Sequence, residues 1–163
     1  MVNVFLVLGS NIKSRHNYIE KACNMIQRDL GKIVNSSAYY ETEPWGFDTK
    51  NFFLNKIIIV ETLLSPEKLL SATQTIEKKL GRKRDNKRYN SRTIDIDILF
   101  YNKKTINTDN LVIPHPKILV RRFVLEPLTE IAPNFIHPLY NKTIKELLND
   151  CPDKLTVKKL DVL

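Results

Sequence analysis

Hydrophobic and polar positions along this chain follow two periods in turn, and the switches between them mark its elements. From Asn3 to Asn11, "NVFLVLGSN", a continuous apolar run ends at Gly9, as expected of a short central strand closed by a residue that permits a tight turn. The next apolar positions, Ile19, Ala22, Cys23, Ile26 and Leu30, recur at three- and four-residue spacing and predict a helix. Asn17 with Glu20 resembles a capping box at its start, and Gly31 stands where a helix-ending glycine belongs.

"KIVNSSAYYET" (32–42) and "FFLNKIIIVETLL" (52–64) are rich in β-branched and aromatic residues and predict two strands, paired as a hairpin around the Pro44, Gly46 and Asp48 punctuation between them. Ser65 as N-cap, Pro66 at the first helical position, apolar Leu69, Leu70, Ile76 and Leu80, then Gly81, define a second amphipathic helix. A strand within "YNSRTIDIDILF" (89–100) follows. After it come a polar stretch, a proline-flanked "IPHP", a helical-looking "RRFVLEPLTEIAP" (121–133) and a short helix near Ile144 to Leu148. The order strand, helix, strand, strand, helix, strand predicts an α+β fold: a ferredoxin-like split βαβ arrangement whose mainly antiparallel sheet is covered by helices as three layers, α/β/α.

With 163 residues, 42% of them hydrophobic, and no linker or repeat, a single domain over residues 1–163 is expected. Two distant cysteines, Cys23 and Cys151, are not a disulfide framework, so a reducing cytoplasm fits best. The first apolar run stops after five residues, too short for a signal segment or a membrane span. A net charge of +8 predicts attraction to polyanions: nucleic acid, anionic lipid or a phosphate-rich small substrate. Its distribution narrows the choice. "KKLGRKRDNKRYNSR" (78–92) holds eight of the 26 basic residues and lies directly before two acids.

Those acids, Asp95 and Asp97, interrupt an otherwise apolar strand. On extended backbone they share one face while Ile94, Ile96 and Ile98 occupy the other. About 7 Å then separates them along the strand, close enough to hold one divalent ion or to straddle two. Neither carboxylate can be buried bare, because an unpaired buried charge costs several kcal/mol or takes up a proton. The ordinary reading of such a pair is a solvated strand face with arginine partners. Here Arg82, Arg84, Arg88 and Arg92 arrive on the preceding polar segment, which unites oxygen ligands for Mg²⁺ with forked donors for phosphate. Phosphoryl transfer needs both.

The four glycines, at 9, 31, 46 and 81, form neither a P-loop nor a dinucleotide-binding fingerprint, so cations must neutralise the phosphates. Polymerase-type nucleotidyltransferases set a Gly-Ser turn a dozen or so residues before their paired acids; Gly9-Ser10 lies far too early. His115, locked between Pro114 and Pro116, is either a surface residue or a hydrogen-bond donor to phosphate. His16, His115 and His137 lack zinc spacing.

"GRKRDNKRYNSRTIDIDIL" resembles the signature of the 6-hydroxymethyl-7,8-dihydropterin pyrophosphokinase family of folate biosynthesis. The likeness extends to "LGSN" (8–11), "YETEPWG" (40–46), "FLN" (53–55), "IPHP" (113–116) and "RRFVLEPLTEIAP" (121–133), in family order. The resemblance implies transfer of an intact pyrophosphoryl group from ATP to the hydroxymethyl of a reduced pterin, releasing AMP. It implies that Asp95 and Asp97 hold two Mg²⁺ ions, that Arg82 and Arg92 act with Asp97 in the transfer, and that Arg84, Arg92, His115 and Arg121 bind ATP. It also implies a pterin slot in which the ring stacks between Phe53 and Phe123, with Asn55 and the backbone around Thr42 and Trp45 reading its polar edge.

The usual place of a phenylalanine is the core, which is the ordinary reading of Phe53 and Phe123, whereas an amide inside "FFLNKIIIV" needs a partner if buried. Departures from the family pattern are Tyr89, Asn90 and Ser91 in place of Trp-Gly-Pro, Glu43 where proline is frequent, and Trp45 where a leucine can occur. The expected partners are small molecules, with no nucleic acid and no membrane, and the expected assembly is a monomer. A rival reading, a sheet that binds single-stranded RNA through charge and stacking, leaves the two acids repelling the backbone they should attract.

Overall fold

The computed structural model describes residues 1–44, 51–83 and 92–161. Trp45, Arg84, Arg88 and the Tyr89, Asn90, Ser91 departure lie outside the described residues.

β1 (Val2–Ser10) is the central strand, because apolar residues on both of its sides find a core. It pairs antiparallel with β4 (Phe53–Thr62) on one side and with β5 (Asp95–Tyr101) on the other. β4 in turn pairs with β2 (Lys32–Ser36) and β3 (Tyr39–Thr42), so the predicted single strand over 32–42 is two, and both face the same partner. The break falls at Ser37, whose backbone N–H donates to the Ile57 carbonyl (2.8 Å) and whose hydroxyl accepts from the Ile57 N–H (2.9 Å). All of these pairs are antiparallel, in the split βαβ arrangement expected.

α1 (Arg15–Asp29) and α2 (Pro66–Lys79) cover one side of the sheet; α3 (Arg122–Ile131) and α4 (Ile144–Asn149) cover the other. Ile19, Ala22 and Ile26 of α1 and Leu69 and Ile76 of α2 meet Leu6, Leu8, Ile58 and Ile96. Val124, Leu125 and Leu128 of α3 meet Phe5, Val7, Ile57 and Phe100. Together the two cores make the three-layer α/β/α fold.

The helix ends show where local signals ruled and where they lost. Ser65 caps α2, its hydroxyl accepting from the Lys68 N–H (3.3 Å), with Pro66 in the first turn. The predicted capping box of α1 does not form. The helix starts earlier, after Ser14 at φ 71°, and Ser14 makes no side-chain cap bond. Asn17 is therefore already inside the helix, and Glu20 turns to Tyr39 and to Lys56 (3.6 Å). Gly31 closes α1 at φ +150°, where a Cβ would come within 2.2 Å of the Glu61 carbonyl oxygen.

Three strands were not expected. β6 (Ile106–Asn107) in the polar stretch and β7 (Val112–Ile113) at the start of "IPHP" form a small ribbon, and β8 (Val157–Leu160) pairs with β3 and becomes the sheet's edge. Within β5 the register slips between Phe5 and Leu6 of its partner, leaving one extra residue. Leu99 and Phe100 consequently both enter the α3 side core, which strict alternation forbids.

Candidate active site

Sheet register sets out the floor of the site. Asp95 pairs with Gly9, Gly9 with Asn55, and Asn55 with Tyr40, so a single rung crosses four strands with a glycine near its middle. Two rungs deeper, on the same face, Asp97 pairs with Val7. Asp95 and Asp97 share the α3 side, while Ile94, Ile96 and Ile98 lie in the opposite core, as alternation requires. Gly9 keeps the floor open: a Cβ there would stand 2.9 Å from Asn55 Oδ1 and 3.7 Å from the Phe53 ring.

Above this floor lies a cleft of about 330 Å³. It is lined by Arg82, Arg92, Asp95, Asp97, His115 and Arg121 on one side and by Thr42, Phe53, Asn55 and Phe123 on the other. These are all the site residues expected from sequence that fall among the described residues; Arg84 and Trp45 do not. Lys117, Pro116 and Glu43 also line it.

The two carboxylates have unlike surroundings. Asp95, its side chain 22% exposed, accepts from Arg82 Nη1 (2.6 Å) and Arg92 Nη1 (2.8 Å). Arg82 is also paired with Glu77, a buried acid of α2 whose Oε1 accepts the Ile96 backbone N–H (2.8 Å). The arginines are thus held folded over the acid strand by carboxylates of the chain itself. Asp97 has Arg121 Nη1 and His115 Nε2 at 3.9 Å, beyond hydrogen-bond distance. Burial, and then the charge of Asp95, push its carboxyl well above the usual carboxylate range, opposed by Arg121.

His115 is pushed down to about 4, first by burial and then by the Arg121 charge, so it is neutral at pH 7. Its Nδ1 accepts the Lys117 backbone N–H (3.1 Å), which leaves the proton on Nε2, facing Asp97. Neutral His115 is a donor aimed into the cleft and adds no positive charge to it.

On the other wall Asn55 is only 3% exposed and donates from Nδ2 to Thr42 Oγ1 (2.8 Å). That bond fixes the amide so that its oxygen faces the Gly9 gap. Phe53 and Phe123 are half-buried cleft residues, each approached by an arginine: Arg92 lies 5.9 Å from the Phe53 ring centre and Arg121 5.6 Å from that of Phe123. Both arginines therefore belong to the anionic and to the aromatic half of the cleft.

Two hard oxygen donors on one strand face, one made difficult to ionise by burial and by its neighbour, suit a divalent cation such as Mg²⁺. Among the described residues no group of three or more His, Cys, Asp or Glu is gathered.

The family model of 7,8-dihydro-6-hydroxymethylpterin-pyrophosphokinase matches residues 5–133. The chain belongs to that family. A 2-amino-4-hydroxy-6-hydroxymethyldihydropteridine pyrophosphokinase of Aquifex aeolicus is 42% identical over 146 residues, 90% of each chain. A Bacillus subtilis protein of the same name is 41% identical over 129 residues, 78% of this chain and 77% of its own. Among solved structures, an HPPK-DHPS in complex with substrates superposes with a TM-score of 0.76 over 91% of this chain at 20% identity, a likeness of fold. The chain spans 43% of that longer one. Members of this pyrophosphokinase family use ATP as co-substrate.

Sequence reasoning missed Glu77, Gly9 as the floor, and Lys117. Glu77 had a visible signal: with Leu69, Thr73 and Ile76 it lies on the buried stripe of α2, where an acid has no place without a partner.

Proposed function

We propose that this protein transfers pyrophosphate from ATP to the hydroxymethyl group of 6-hydroxymethyl-7,8-dihydropterin, releasing AMP, and so serves folate biosynthesis. The observation that carries this reading is the meeting, in one cleft, of a carboxylate pair and three arginines with a slot of two phenylalanines and a fixed carboxamide. One half suits a triphosphate and the other a flat heterocycle with donors and acceptors on its edge.

Each residue has a part in that chemistry. Asp95 and Asp97 hold Mg²⁺, two ions in the full site, and the metal supplies charge neutralisation and alignment of phosphate oxygens when bound. Arg82 and Arg92, each holding one oxygen of Asp95 through Nη1, exchange that carboxylate for phosphate oxygens and stabilise charge on the transferred group; Arg84 and Arg121 add to the grip on ATP. His115 donates its Nε2 proton to a phosphate oxygen and stays neutral. Phe53 and Phe123 sandwich the pterin, while Asn55 with the backbone at Thr42 and Trp45 reads its edge. The pterin oxygen bonds to the β-phosphorus, the bond from that phosphorus to the α,β-bridging oxygen breaks, and AMP departs with loss of the hydroxyl proton.

We take the chain as one catalytic domain over 1–163, monomeric and cytoplasmic. Both cysteines are free and buried, and among the described residues no helix is long and apolar enough to cross a membrane. The deciding experiment mixes protein, Mg²⁺, ATP and the reduced pterin alcohol. AMP with pterin diphosphate is expected, and chelating the metal should stop it. ADP instead of AMP would mean γ-phosphoryl transfer and overturn the reading.

A further inference from the structure

The pterin wall lies where β3 ends and β4 begins, at their last paired rung, Thr42 with Phe53. On the cleft side the Asn55 to Thr42 bond ties that rung. The opposite side carries a stronger tie. Glu41, paired with Leu54, shares the α1 face of the sheet with it, because paired residues point the same way. There Arg15, the first residue of α1, donates from Nη2 to Glu41 Oε2 (2.7 Å) and from Nη1 to the Phe52 carbonyl (2.9 Å). One guanidinium therefore grips the residue before Thr42 and the residue before Phe53.

Local helix chemistry argues against this residue at this position. A cation in the first turn opposes the helix dipole, no acid of the first turn offsets it, and Ser14 provides no side-chain cap while sitting at φ 71°. A local rule broken without local compensation points to a tertiary purpose. Only a planar fork with diverging donors reaches both acceptors, which lysine cannot do.

We propose that Arg15 is a positioning residue for the pterin slot, locking the Thr42–Phe53 rung from behind the sheet and so fixing the gap the heterocycle enters. This rests on the pterin reading above.

The test is equilibrium titration of the reduced pterin alcohol, with Mg²⁺ and a non-hydrolysable ATP analogue present, into the parent protein, Arg15→Gln, Arg15→Lys, Glu41→Gln and the Arg15→Gln, Glu41→Gln double variant. Nucleotide affinity and Tm are measured alongside. Arg15→Gln should weaken pterin binding about tenfold while nucleotide affinity stays within about twofold. Arg15→Lys should fall between, and Glu41→Gln should add little to Arg15→Gln, since both break one bridge. If Arg15→Gln does not fold, Glu41→Gln and Arg15→Lys carry the same comparison. Unchanged pterin affinity with a lowered Tm would assign Arg15 to stability alone, and equal losses of pterin and nucleotide would make it a general scaffold residue; either overturns the inference. A parent protein that binds nucleotide but no reduced pterin would instead overturn the pterin reading itself, and the role of Arg15 with it.

Discussion

The α3 side of the sheet is built from the same strands at both ends, yet the two ends share almost no chemistry. At one end Phe5, Ile57, Ile59, Leu99 and Phe100 are sealed beneath α3 and α4. At the other, Gly9, Asn55, Asp95 and Asp97 occupy the same face and look into an open cleft. Alternation continues unchanged from one end to the other. What differs is the cover: α3 begins at Arg122, so Arg121 and Phe123 reach the cleft while Val124, Leu125 and Leu128 turn into the core. A strand can thus contribute closed core and reactive surface on one face if the helix above it starts part-way along.

That contrast predicts variants that separate activity from stability. The largest effect belongs to Asp97→Ala, for which kcat should drop on the order of a thousandfold with the far-ultraviolet circular dichroism unchanged. Steady-state turnover near that of the parent would remove Asp97 from the reaction. At the sealed end, Leu128→Ala opens a cavity under a fully buried side chain and should cost about 2–5 kcal/mol in denaturant unfolding, with kcat within a few-fold. A collapse of kcat in the still-folded variant would show that the two ends are coupled.

Gly9→Ala tests the boundary rung. Its Cβ would crowd Asn55 Oδ1, so KM for the pterin should rise about tenfold with KM for ATP little changed.

The smallest effect is on stability against pH. Asp97 has a raised native carboxyl, so the native state holds its proton more tightly than the unfolded chain and stability falls as pH rises from the unfolded value of 3.8 towards the native one. His115 runs the other way. Lowered from 6.5 to about 4, it favours the neutral form in the native state, so its contribution is complete above 6.5 and is lost as pH falls to about 4. Without metal, Asp97→Asn should therefore melt a little higher than the parent at pH 8 and gain nothing at pH 3, as read by thermal scans. With Mg²⁺ and ATP the order at pH 8 should reverse, because only the parent keeps the ligand.

Much of this contrast was legible in the sequence, because it follows from alternation. "TIDIDIL" places its acids and its isoleucines on opposite faces in any strand, and Asn55 announces a partner by interrupting an apolar run. What sequence could not supply were the tertiary ties. Arg15 overrode the start signal at Asn17 because its partners, Glu41 and Phe52, are brought near only by the finished sheet. Glu77 reads as a misplaced acid until Arg82 and the Ile96 N–H come to it. The strand "VKKL" has too few apolar residues to stand out from a polar tail, as befits an edge strand seen without its neighbour.

That last strand has a consequence for handling the molecule. β8 occupies the hydrogen-bonding side of β3 that would otherwise be bare, and turns outward an edge carrying Lys158 and Lys159. A chain cut before Val157 would present Tyr39–Thr42 as a ready template for foreign strands, so the expected damage from trimming is self-association through open β-ribbons, beginning beside the substrate cleft.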